Sequence, residues 1–122
     1  MRKTILSALL IGALATPALA DGYPVSGRWG QSTSSATGAM DCSGKRVIYF
    51  KGDQRTDSKG GVPAYRNKSV SPLGPSNYRI VDQFTTGQVR NGSANYTLRL
   101  VDADHIEMNM SPGGMLKLQR CE

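Results

Sequence analysis

The sequence predicts an all-β domain, an antiparallel up-and-down meander closing into a small barrel of six to eight strands. Three observations carry that expectation. After residue 20 the apolar residues recur in short runs of period two, and no helical stripe is sustained. Of the 14 glycines and 6 prolines, all but Gly12 and Pro17 lie beyond residue 20, mostly between those runs. The connections are short and local, and closing such a meander removes its exposed sheet edges.

In chain order, Gly27–Gln31 is a first short strand carrying Trp29. Residues 32–39 are small and polar, the composition of a mobile loop. Residues 46–51 hold Val47, Ile48, Tyr49 and Phe50, which fit a pleated, half-buried surface. Residues 52–61 contain Asp53, Arg55, Asp57 and Lys59 and read as a solvated turn or irregular strand. A sparsely apolar strand follows over 62–70 around Tyr65, and Pro72 and Pro75 mark 71–76 as a turn. Residues 77–85 alternate through Tyr78, Ile80 and Phe84. Residues 87–92 turn, with Asn91-Gly92 favouring positive φ. Residues 94–101 set Tyr96, Leu98 and Leu100 on one face, and 102–104 turn again. Ile106, Met108 and Met110 line the next strand, 111–114 turn, and 115–121 close with Leu116 and Leu118 together.

Residues 1–20 form a separate unit. Met1-Arg2-Lys3, an apolar run to Ala15 and Ala18-Leu19-Ala20 make a basic start, an apolar middle and a small-residue cleavage pattern. This is an export signal, with cleavage expected before Asp21, so the product is periplasmic in a bacterium or secreted. The run is too short for a membrane span, and nothing later approaches the roughly eighteen apolar residues one needs. Residues 21–122 then form one domain. Without Arg2 and Lys3, the 15 basic residues become 13 against 9 acids, lowering the net charge from +6 to +4. A multidomain enzyme is excluded, and neither a dinucleotide-binding nor a P-loop motif occurs.

Cys42 and Cys121 are the only cysteines. In an exported chain they are expected to form a structural disulfide. No C-x-x-C spacing points to a redox pair.

Gly27-x-Trp29 on the first strand, a meander of antiparallel strands and Arg120 on the last strand resemble the calycin group of lipocalins, avidins and small lipocalin-like metalloprotease inhibitors. The resemblance implies that Trp29 packs at one barrel end with the Arg120 side chain lying across it. Period-two alternation agrees, placing Arg120 on the face of Leu116 and Leu118 and Cys121 on the outer face, where it tethers the Cys42 loop. The lipocalin Thr-Asp-Tyr signature is absent, and the length is nearer that of the small inhibitors. In those, an N-terminal segment enters the protease cleft. Here Tyr23, Pro24 and Val25 are either such an inhibitory segment or the plug beneath the barrel.

Catalytic signals are sparse. His105 is the single histidine and falls on the strand face opposite Ile106, towards solvent, and no G-x-S-x-G elbow accompanies it. Asp53, Asp57, Asp82, Asp102 and Asp104 sit mostly in turns rather than facing one cleft. No enzyme activity and no cofactor are expected. A Cu(I) site from Met108, Met110, Met115 and His105 has suitable soft ligands, but alternation with Ile106 makes Met108 and Met110 ordinary core residues. The cations are scattered among aspartates without an RNA-binding signature, which argues against nucleic acid. The densest basic stretch, Lys45 to Lys68, suits an anionic surface.

These readings converge on a non-enzymatic, exported, disulfide-tied binding module. Its partner is a small apolar ligand or an envelope or secreted protein. The alternatives are inhibition of an envelope or secreted hydrolase and carriage of Cu(I).

Overall fold

A computed structural model describes residues 22–110 and 112–122; the expected export signal at 1–20 lies outside the described residues. The strands are β1 (Gly27–Gln31), β2 (Val47–Lys51), β3 (Gln54–Asp57), β4 (Tyr65–Gly74), β5 (Asn77–Phe84), β6 (Gly92–Asp102), β7 (His105–Met110) and β8 (Gly114–Arg120). Each pairs antiparallel with the next, and β8 returns to β1 through Trp29↔Arg120, Gly30↔Gln119 and Gln31↔Leu118, closing an eight-stranded barrel. Among the described residues no helix is long and apolar enough to cross a membrane.

Alternation decides what fills the barrel. Trp29, Ile48, Phe50, Ile80, Tyr96, Leu98, Ile106, Met108, Leu116 and Leu118 point inward and form one core. Each fully buried side chain of this size contributes about 1.5–3 kcal/mol relative to exposure. The register gives the barrel two unlike ends. At the first lie the chain start before β1, the β2–β3, β4–β5 and β6–β7 turns, and Cys121 after β8. The second carries the β3–β4, β5–β6 and β7–β8 connections.

Three segments depart from the sequence expectation. Within the stretch read as a solvated turn or irregular strand, residues 54–57 are a regular paired strand: Gly52, at φ 62°, permits a two-residue turn that lays Gln54 against Lys51. β4 runs through Pro72 to Gly74, past the expected end at 70. Beyond Asn67 the described pairings of β4 are with β5 alone, so Pro72 lies on an edge where its missing N–H costs no ladder bond. Residues 32–39, expected to be mobile, are strapped along the outside of β8. Ser32 N–H donates to Lys117 O, Gly38 N–H to Asp104 Oδ2, and the Gln119 amide to the carbonyls of Ala36 and Gly38.

The strap ends at the Cys42–Cys121 disulfide, with Cα atoms 5.6 Å apart. Gly30 lies beneath it, and a Cβ there would meet Cys42 Sγ at 2.5 Å and Met40 Cε at 2.7 Å. Only a glycine lets the strap approach this closely. Asp104 clamps the strap from below. Its Oδ2 accepts from Gly38 N–H and its Oδ1 from Arg120 Nη2, and these bonds hold the carboxyl below its ordinary value of 3.8. A depressed folded value means that the stability it supplies is complete above about pH 4 and is lost as pH falls through the folded value. Asp104→Asn is therefore expected to be less stable than the parent near neutral pH, with the gap closing below pH 4. Parallel stability curves from pH 2 to 7 would contradict this role.

Candidate functional site

The first barrel end is filled by the chain itself. Tyr23 N–H donates to Gly52 O, and its ring meets Phe50 edge-on at 5.0 Å between centroids. Its hydroxyl reaches inside to Asp82 Oδ1 at 2.9 Å. Val25 packs against the same core, and Trp29 Nε1 donates to Ser26 O. Tyr23 and Val25 thus form the plug beneath the barrel rather than a free arm.

Asp82, on β5, points inward and is fully buried. A buried carboxylate must be neutralised and hydrogen-bonded, and four side chains do so. Tyr23 and Tyr96 hydroxyls donate at 2.9 Å each, Arg55 Nε at 2.9 Å and Asn67 Nδ2 at 3.2 Å. Burial, with Asp82 adjacent, pushes the Tyr23 phenol far above its ordinary value; burial does the same for Tyr96, so both remain donors. Tyr23→Phe deletes one hydrogen bond to the charged group and is expected to cost about 1.5–3 kcal/mol. Equilibrium unfolding measures it, and a loss below about 0.5 kcal/mol would show that the plug is not anchored through this bond.

Arg55 faces the second end. Its guanidinium carbon lies 3.8 Å from the Tyr65 ring centroid and 4.9 Å from that of Tyr96. The residue is only 3% exposed, yet it floors a cleft of about 380 Å³. Tyr65, Phe84, Ala94, Tyr96 and Met110 help to line it, with Arg46 and Asp57 nearby. Tyr65 and Phe84 meet edge-to-face at 5.5 Å. Arg46 and Asp57 form a two-pronged ion pair at 3.0 and 2.6 Å. Burial opposes charge on Asp57, but the Arg46 bonds and the Lys59 N–H outweigh it and hold the carboxyl below its ordinary value.

No relative emerges. No family model matches the chain, and neither the curated proteins nor the solved structures give a match.

The residues singled out in the sequence fall as follows. Cys42 and Cys121 are bonded. Trp29 is buried and stands opposite Arg120 in the β1–β8 ladder, with Gly27 at the strand start. The expected stacking of Arg120 on the indole is replaced by an ion pair. Its Nη2 and Nε bond Asp104 Oδ1 at 2.6 and 3.1 Å because the β6–β7 turn brings that carboxylate to the same barrel end. Among the described residues the guanidinium–ring contacts belong to Arg55.

His105 is not solvent-facing; the strap covers it, leaving its side chain 12% exposed, with Nδ1 2.8 Å from Asp102 Oδ1. The four Cu(I) candidates do not converge. Met108 and Met110 share the inner face, whereas His105 and Met115 lie on the outer one. The last two stand four rungs apart, roughly 14 Å along the strand. Among the described residues no group of three His, Cys, Asp or Glu is placed to hold a metal. In the basic stretch, Arg46, Arg55 and Arg66 each have their own aspartate, which reduces the charge available to an anionic surface.

Sequence reasoning missed Arg55 and Asp82. Asp82 alternates in phase with Ile80 and Tyr78, so its inward direction was visible in the pattern. Its charge argued against that placement until Arg55, 27 residues away, could be seen opposite it.

Proposed function

We propose that the chain is a non-enzymatic, exported binding module whose open barrel end receives a small ligand. The observation that carries this reading is the inequality of the two ends. Tyr23 and Val25 fill one, while the other opens into a cleft of about 380 Å³ over Arg55, Tyr65 and Tyr96. That volume falls within the roughly 300–1,000 Å³ of small-molecule sites, which combine apolar walls with a few placed polar groups. Binding is favoured over catalysis because the carboxylates here are already engaged. Asp82 accepts from four side-chain donors and Asp57 from both prongs of Arg46, so neither presents a free carboxylate to a substrate.

Export is supported by the disulfide, which persists in oxidising compartments. Kinship with the calycin group is part of the same proposal, supported by the closed eight-stranded meander and by Trp29 facing Arg120 across the closing seam. The inhibitor alternative has no observation in its favour, since the Tyr23 side chain it would present is bonded to Asp82.

The test is a fragment screen on the disulfide-bonded protein, read by amide NMR shifts. Hits are expected to move Tyr65, Phe84, Ala94 and Tyr96 and to vanish in Ala94→Trp, which fills the cleft. No hits, or hits confined to the outer faces or the Tyr23 end, would overturn the proposal.

A further inference from the structure

We propose that the ligand of the open end is a monocarboxylate with a flat, apolar body, gripped by the terminal nitrogens of Arg55. This rests on the open end being a binding site and adds what the site selects.

A guanidinium carries five N–H groups. Arg55 uses Nε on Asp82 and lies beside the Tyr23 hydroxyl, and among the described residues no second carboxylate pairs with its terminal nitrogens. Asp82 and Tyr65 hold the group rigidly, so little conformational freedom remains to be lost when an anion arrives. The two terminal nitrogens match the two oxygens of a carboxylate.

Local charge sets the valence. The charged groups facing the cleft and its floor are Arg46, Arg55, Asp57 and Asp82, which balance to zero. One added negative charge meets the Arg55 fork without strong repulsion, whereas a second would lie near two carboxylates with no further cation. The walls select the body: Tyr65, Tyr96, Phe84 and Met110 present ring faces and edges and a thioether to whatever enters above the guanidinium. Flat rings pack favourably on such surfaces.

The experiment compares naphthoate, naphthylmethanol and naphthyl phosphate by calorimetry on the intact disulfide-bonded protein. Naphthoate is expected to bind about tenfold or more tighter than the alcohol and tighter than the phosphate, and to be excluded by Ala94→Trp. Arg55→Lys, which keeps the charge and removes the fork, is expected to erase most of that preference. If this variant does not fold, the unaltered protein carries the test: the Arg55 terminal N–H resonances must shift with naphthoate and not with the alcohol. Equal binding of acid and alcohol in the cleft would overturn the carboxylate inference and leave the binding module standing. Tighter binding of the phosphate would overturn the monoanion argument. Absence of binding by all three, together with an empty fragment screen, would remove both.

Discussion

Asp82→Leu is expected to destabilise the domain by about 3–5 kcal/mol, the usual consequence of stranding one member of a buried ion pair. The leucine fills similar space but leaves the Arg55 guanidinium, 3% exposed, without its counter-charge. It also removes the acceptor shared by the Tyr23 and Tyr96 hydroxyls and Asn67. Domains of this size have roughly 5–15 kcal/mol in total, so the loss is a large share. Arg55→Met alone should cost a comparable amount, because it strands the carboxylate instead. The double variant should be less damaged than the sum of the two, since neither charge then remains buried. Denaturant unfolding of all four proteins measures the coupling. Additive losses would mean that the pair is not an electrostatic unit.

Cutting the covalent staple is the second large effect. Cys42 and Cys121 are 79 residues apart, so the bond closes a long loop. The chain-entropy argument assigns about 4.5 kcal/mol to a loop of this length. Native contacts add to this, because the disulfide holds the end of the strap: Met40 N–H donates to Arg120 O and Glu122 N–H to Met40 O. Cys42→Ser with Cys121→Ser is expected to lower stability by about that amount. It should also release residues 32–42 to faster amide exchange while the inner core of Phe50, Leu98 and Met108 keeps its protection. A loss below about 1 kcal/mol would place the stability elsewhere.

The later half of the fold was legible because two independent signals agree there. In β5 to β8 the inward positions Ile80, Leu98, Ile106, Met108, Leu116 and Leu118 alternate cleanly, and Asn91, at φ 54°, stands where the sequence places a positive-φ turn. β3 was obscured because its inward side chain is charged. All four residues of β3 are polar or charged, so with Arg55 directed into the barrel no apolar alternation marks the strand. Trp29 and the closing seam with Arg120 were legible, whereas the partner of that arginine was not, since Asp104 reaches it only across a turn of another hairpin. Gln119 shows the same limitation. Its position is outward by alternation, yet the strap buries it to 3% exposure through bonds to residues more than 80 positions away.

The measurement that bears most directly on the central claim, a rigid Arg55–Asp82 pair flooring an otherwise open barrel end, is hydrogen exchange at the arginine Nε–H groups. The pair predicts that the most strongly protected of these resonances is that of Arg55, assigned by its loss in Arg55→Lys, and that its protection exceeds even that of the hydrogen-bonded but more exposed Nε–H groups of Arg46 and Arg120. Arg66 and Arg99, with exposed side chains, should exchange much faster. An Arg55 signal that exchanges as fast as theirs would contradict the claim.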